Sequence, residues 1–378
     1  MTTPNTSRGA QFFYGFILLA ITSADYVVYI RWMQTMKPYK WYAGSFAFPV
    51  FGALCFWIPV WIRRLLCRSR IQKQDQQLPQ RHLARIGCFD ALNSILGTYA
   101  TPYLSVILMT VLDKVGLPLT MIASILYLGT RYTKTHYLGG FLTLYGVMVS
   151  FIPNFDKGDQ VKNPYWLAIY LFSLVPAVAS YCYKQRHLQG TTLDIWWMNA
   201  WISIWQIGVG LLTFPVLFAP LPTGDNVHGS DVGRYLLDAT KCQFAGINAS
   251  PTDNCGDALV LFVMYQFIST VANILMFTII RRWSSTVYII MNTMKMPITA
   301  WLGSYPSLVG SQASPIGPAD AFSFVMIAVG VAVYNWEPEV KQPTKSDELL
   351  LPKTCSLVTK NLRKPRFNRN SLANPLIK

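Results

Sequence analysis

Apolar residues in this chain neither alternate nor keep to one helical face. They run in blocks about twenty residues long, parted by short polar stretches. A bilayer core of about 30 Å is crossed by about 20 apolar residues in a helix. That measure predicts ten membrane-spanning helices, at 11–32, 41–63, 83–102, 105–129, 135–153, 163–184, 194–218, 258–280, 284–305 and 319–336. Spans three and four are parted only by Tyr103 and Leu104, so they form a tight hairpin. The expected fold class is all-α, a polytopic membrane protein. Met1 to Ala10 are polar without the Arg- and Ser-rich character of a transit peptide. The first span runs on into a basic loop with no small-residue cleavage site, and is read as a retained helix.

The polar stretches assign sides. The basic loop Arg63–Arg85, the turns at Arg131–Lys134, Lys184–Arg186 and Arg281–Arg282, and the C-terminal tail all fall on one side if both termini face the cytosol. The other side receives Thr101–Tyr103, the mixed-charge loop Asp156–Lys162, the long loop 219–256 and the uncharged Ser307–Pro318; only Arg31–Lys40 runs against the pattern. Composition agrees, since 52% of the 378 residues are hydrophobic and 13% charged, about half the charged share of a soluble domain. The net charge of +15 gathers in the loops, with seven Lys or Arg between Arg63 and Arg85 and nine from Lys341 onward. Because those residues flank apolar spans, the positive-inside rule accounts for them and nucleic-acid binding is set aside.

Shifting the chain by 179 residues lays Ser105 on Ser284 and brings two helices into register. Ser94-Ile95-Leu96 then meets Asn273-Ile274-Leu275, Asp113 meets Asn292, and Leu117-Pro118-Leu119-Thr120 meets Met296-Pro297-Ile298-Thr299. An odd number of helices per copy turns the second copy upside down, the inverted-repeat plan of many secondary transporters. The expected organisation is a cytosolic segment 1–10, a five-helix repeat 11–153, a second repeat 163–336 that carries the lumenal loop 219–256, and a basic, disordered cytosolic tail 337–378 resting on anionic lipid. Pro118 and Pro297 occupy equivalent points, as gate-forming bends or as inert kinks.

Ionisable residues inside spans are costly and face a wet cavity or each other. Asp25, Asp90, Asp113, Lys114 and Lys295 are such residues. Asp90, Asn93, Gly97 and Thr101 share a face of helix three, and Gln266, Thr270 and Asn273 a face of helix eight, like opposite walls of one cavity. Two roles stand for Asp90, lining a cavity and carrying coupled protons, or bonding helix to helix. Lys295 either pairs with Asp113 or meets an anionic group of a substrate; Asp25 lines the cavity or snorkels to water. Cys242 and Cys255, thirteen positions apart in the long loop, are either a disulfide in an oxidising lumen or two thiols. Asn248-Ala249-Ser250 is a glycosylation sequon weakened by Pro251. No Walker loop, HExxH, GxSxG or metal-spaced Cys/His cluster occurs, so neither catalytic residues, a metal nor a cofactor is expected.

Phe89-Asp90-Ala91-Leu92 through Pro118, Arg131-Tyr132, Tyr137-Leu138-Gly139-Gly140, Leu174-Val175-Pro176, Asn199-Ala200, the Cys242–Cys255 loop and Phe267 through Ser284, Tyr288 and Pro297 resemble the chloroquine-resistance transporter-like family of the drug/metabolite transporter superfamily. The resemblance covers nearly all of residues 10–336. It implies ten helices, cytosolic termini, a disulfide-bonded lumenal loop, and a cavity lined by helices one to four and six to nine. It also implies export of peptides, amino acids, glutathione or cationic drugs from vacuolar or plastid compartments. Parasite members carry four cysteines in the loop, so one disulfide at most carries over. The family's acidic residue near Ala272-Asn273 is absent, which argues against strong cation selectivity. Asp347-Glu348-Leu349-Leu350-Leu351 fits an acidic dileucine pattern and favours a vacuolar or lysosomal membrane; chance also produces such motifs. The expected function is gradient-driven transport of a small charged or zwitterionic solute, with protons as a candidate coupling ion and lipids as surroundings. Its rivals are a nucleotide-sugar or phosphorylated-metabolite exchanger and a non-transporting receptor or scaffold.

Overall fold

The side chains of Ser105 and Ser284 each cap a helix, accepting from the backbone N–H three residues on, Leu108 at 3.3 Å and Val287 at 3.1 Å. Such a cap satisfies an orphan donor and lets a new helix start immediately after the previous one. In the computed structural model, which describes residues 8–66, 79–156, 164–188, 194–218, 227–251, 253–310, 313, 315–334, 336 and 340–341, helices make up nearly all of the chain. The expectations for segment 1–7, most of the loops Arg63–Arg85 and Asp156–Lys162, and the tail from 342 with its dileucine pattern lie outside the described residues.

In chain order the helices are α1 (Arg8–Thr35), α2 (Phe48–Leu66), α3 (Gln80–Ala100), α4 (Val106–Leu112), α5 (Gly116–Ala123), α6 (Lys134–Asp156), α7 (Pro164–Leu188), α8 (Ile195–Leu212), α9 (Val232–Thr240), α10 (Ala258–Arg282), α11 (Ser285–Thr293), α12 (Met296–Gly303), α13 (Pro306–Val309) and α14 (Pro318–Tyr334). Among the described residues six stretches are long and apolar enough to cross a membrane: Phe13–Thr35, Tyr42–Leu66, Val106–Leu128, Pro164–Leu188, Ile195–Phe218 and Ala258–Arg282. The other four expected spans are helical too, but do not meet that measure. Polar residues interrupt α3, the 284–305 stretch is divided between α11 and α12, and α14 has 17 residues. Large apolar side chains such as Phe16, Leu126, Phe172, Leu212 and Phe267 face outward. A water-soluble surface rarely presents so much, and lipid is the solvent that suits it.

Each long helix has a definite neighbour. Among the described residues α1 packs on α10, α3 on both α7 and α8, α2 on α8 and α10, and α6 on α14. The half-helices cross one another, α4 against α12 and α5 against α11. Small residues allow the closest approach: a Cβ on Gly139 would stand 2.6 Å from the Gly330 carbonyl, and one on Gly330 would stand 2.8 Å from the Gly139 carbonyl. Tight crossings of this kind are how helices associate without a hydrophobic drive from water.

The region expected as an open loop at 219–256 contains α9 and is built onto the end of α1. Cys242 and Cys255 are disulfide-bonded, with Cα atoms 5.0 Å apart, and both are fully buried. Trp32 donates to the Gln243 carbonyl oxygen at 3.0 Å, and Tyr39 donates to Asp253 at 3.1 Å. Burial, then the Asp253 carboxylate, raises the Tyr39 phenol above its ordinary range. Asn248 is exposed, and its side-chain oxygen accepts from the Cys255 N–H at 2.9 Å.

Candidate functional site

Asp90 lies halfway along α3, where one turn brings Asn93, Gly97 and Thr101 onto the same face. The adjoining helix α7 presents Ser180 and Lys184, also one turn apart. Lys184 Nζ is 2.8 Å from Asp90 Oδ2 and 3.0 Å from Oδ1, and Ser180 Oγ donates to Oδ1. Asp90 therefore both lines a cavity and bonds helix to helix. The sequence-based placement of Lys184 in a basic cytosolic turn is corrected here. Its side chain is only 2% exposed, because α7 continues to Leu188 and carries this cation inward. The apolar run ends at this lysine and Arg186 follows closely, so position alone did not separate it from a loop cation.

The two interrupted spans supply the second group. A 3-10 turn, Asp113–Val115, separates α4 from α5, and Met294–Lys295 separates α11 from α12. Pro118 is the third residue of α5, and Pro297 the second of α12. Proline lacks an N–H and is tolerated in the first turn of a helix. The prolines thus stand where helices restart, just past each break. Asp113 accepts from the Tyr170 hydroxyl at 2.8 Å, and no ion pair joins it to Lys295 among the described residues. Lys295 Nζ instead lies 4.8 Å from the centre of the Tyr26 ring.

Both groups open onto one cavity of about 370 Å3. Asp25, Asp90, Asn93, Asp113, Gln266, Asn273 and Lys295 all line it, so the structure gathers every polar position singled out within the spans. Asp25 points into this cavity rather than out toward the membrane surface. The lining comes from α1, α2, α3, α4, the break at Asp113–Lys114, Gly116 at the start of α5, α7, α8, α10, α11 and Lys295, with α6 and α14 standing outside. Six charges meet there: Asp25, Asp90 and Asp113 against Lys114, Lys184 and Lys295. Tyr26, Tyr170, Lys184 and Asn292, to which sequence reasoning gave no site role, are also in the wall. Asp113 aligning with Asn292 was the available signal for the last.

Four buried polar atoms of this wall have no hydrogen-bond partner among the described residues: Asp25 Oδ1, Tyr26 OH, Gln266 Oε1 and Asn292 Oδ1. Leaving such groups unmet costs about 1–3 kcal/mol each. Three of the four are acceptors, and no donor meets them in this arrangement.

A nearly all-helical chain with an apolar exterior, six helices fit to cross a bilayer and a charged interior cavity is a multi-pass membrane protein. It belongs to the chloroquine-resistance transporter-like family, whose model matches residues 12–334. Crt homolog 1 of Dictyostelium discoideum is 27% identical over 318 residues, which cover 78% of this chain and 66% of that relative. The protein named chloroquine resistance transporter from Toxoplasma gondii is 22% identical over 338 residues, 85% of this chain and 37% of its own length. Protein CLT1, chloroplastic, of Arabidopsis thaliana is 24% identical over 345 residues, 88% of this chain and 74% of its own. The chain thus spans less than two thirds of the length of several relatives it matches.

Proposed function

We propose that this protein is a secondary transporter that moves a small charged or zwitterionic organic solute across a vacuolar or lysosomal membrane. The observation that carries this reading is the cavity, where three carboxylates and three ammonium groups meet in about 370 Å3 beneath unmet hydrogen-bond acceptors. Equal numbers of opposite charges suit a solute that carries both signs, or none in excess. The chloroquine-resistance transporters among the relatives support the transport reading.

The proposed architecture is ten spans in two inverted repeats of five, with both termini cytosolic. Packing supports it. Exchanging the first five spans for the second five turns the contact of α1 with α10 into that of α7 with α3, and the contact of α3 with α8 into that of α10 with α2. The crossings of α2 with α8 and of α6 with α14 map onto themselves, and those of α4 with α12 and α5 with α11 map onto each other. The matched caps at Ser105 and Ser284 and the matched breaks before Pro118 and Pro297 point the same way. Transporters commonly bind substrate where such paired, interrupted helices meet.

Protons are the proposed coupling ion. Asp90 is engaged by Lys184 and Ser180, whereas Asp25 keeps an oxygen without a partner and faces Lys295. Asp25 is thus the carboxylate that keeps an oxygen no protein donor satisfies. Counterflow into proteoliposomes with labelled arginine, glutathione, a tripeptide and a nucleotide sugar tests the reading. Exchange of one of the first three supports it, exchange of the nucleotide sugar alone would transfer it to a phosphorylated-metabolite exchanger, and binding without flux would indicate a receptor.

A further inference from the structure

Lys114 and Lys295 are the cavity's two lysines that no carboxylate contacts among the described residues. Lys114 is 1% exposed and Lys295 7%, and no ion pair reaches either among the described residues. Asp113 is next to Lys114 in sequence but accepts from Tyr170. The two lysines come from the two broken spans, one in the turn before α5 and one immediately before α12, and each lies within the other's electrostatic reach, with Asp113 acting on Lys114 and Asp25 on Lys295. A buried ammonium with no carboxylate in contact is costly, even where more distant carboxylates balance its charge, and two that share a cavity more so. Elsewhere on the wall stand Asp25 Oδ1, Gln266 Oε1 and Asn292 Oδ1, acceptors that lack donors.

We propose that Lys114 and Lys295 form a carboxylate-binding subsite, and that a free carboxylate is the obligatory group of the solute. Asp25, Gln266 and Asn292 form the complementary subsite for its ammonium group. This rests on the transport reading only for its consequence, since binding is measured apart from flux. Carboxylate is favoured over phosphate by charge. With Asp90 and Lys184 neutralising each other, Asp25 and Asp113 already balance Lys114 and Lys295, so a net-neutral zwitterion keeps that balance and a phosphate dianion upsets it. A simple cationic amine would leave both lysines unmet.

The test is thermal unfolding of the full chain in lipid nanodiscs, titrated with matched sets: arginine, arginine methyl ester and agmatine; leucine, leucine methyl ester and isoamylamine; alanyl-leucine and its amide; and inorganic phosphate. At least one free acid is expected to protect, with its ester or decarboxylated partner weaker by about tenfold or more, the loss of one charge-assisted contact. Lys295→Met and Lys114→Met are each expected to erase that preference, whereas Lys295→Arg keeps it and guards against misfolding as the cause. Esters or amines that protect as well as acids, phosphate that protects better than every acid, the absence of protection by any acid, or an acid preference that survives both methionine variants would overturn the subsite. Acid-selective binding without counterflow would instead sink the transport reading and leave the subsite standing. Counterflow of esters and amines equal to that of acids would do the reverse.

Discussion

Replacing Lys184 by Met would leave Asp90 as a carboxylate facing only Ser180. Removing one partner of a buried ion pair costs about 3–5 kcal/mol, and the lower figure applies because the Asp90 side chain is 18% exposed. The expected result is a clear fall in thermal stability in detergent, largely recovered in the double variant Asp90→Asn with Lys184→Met. A single variant as stable as the parent would mean that the pair adds nothing. The same geometry separates two carboxylates by role. Asp25→Asn is expected to remove proton stimulation of uptake with little effect on stability, whereas Asp90→Asn mainly destabilises. Uptake measured across pH for both variants checks the assignment, and unchanged pH dependence in Asp25→Asn would contradict it. Sequence alone marked Asp25, Asp90 and Asp113 as costly inside apolar runs. It could not tell which oxygens were already satisfied, because the satisfying groups, Lys184, Ser180 and Tyr170, come from α7, more than fifty residues further on.

At the level of helices, the crossing of α6 with α14 and the two breaks invite separate tests. Gly330→Val would press a branched side chain against the Gly139 carbonyl and the Thr143 backbone, neither of which has room to yield. Overpacking of this kind costs about 1–3 kcal/mol, and here the upper end is expected, read as a lower unfolding temperature. Pro118→Ala with Pro297→Ala would restore the missing N–H groups and favour continuous helix across both breaks. Slower transport with unchanged solute affinity is the expected outcome in a flux and binding comparison; equal flux would make the prolines inert. Hydrophobic block length located the long helices of the described fold, since apolar runs of that size have few other uses. The breaks were legible only as paired prolines, and α9 was not legible at all, for its nine amphipathic residues lie in a polar loop where block length carries no signal.

Taken as one molecule, the chain wraps a charged cavity in an apolar shell, with α6 and α14 packed together outside the lining and the disulfide-bonded region seated over the end of α1. Its offset of 179 residues, faint at each position, gains weight because the same pairing relates caps, breaks and packing neighbours. Composition and loop charge carried the membrane class; the inward turn of Lys184 escaped them because an internal cation and a loop cation look alike at the end of an apolar run. The most direct test of the central claim is uptake of labelled arginine, glutathione and a tripeptide by proteoliposomes holding the purified full chain, with and without a proton gradient. Gradient-stimulated flux of at least one solute, lost in Asp25→Asn, is the predicted result. Flux no greater than that of empty liposomes for all three would contradict it.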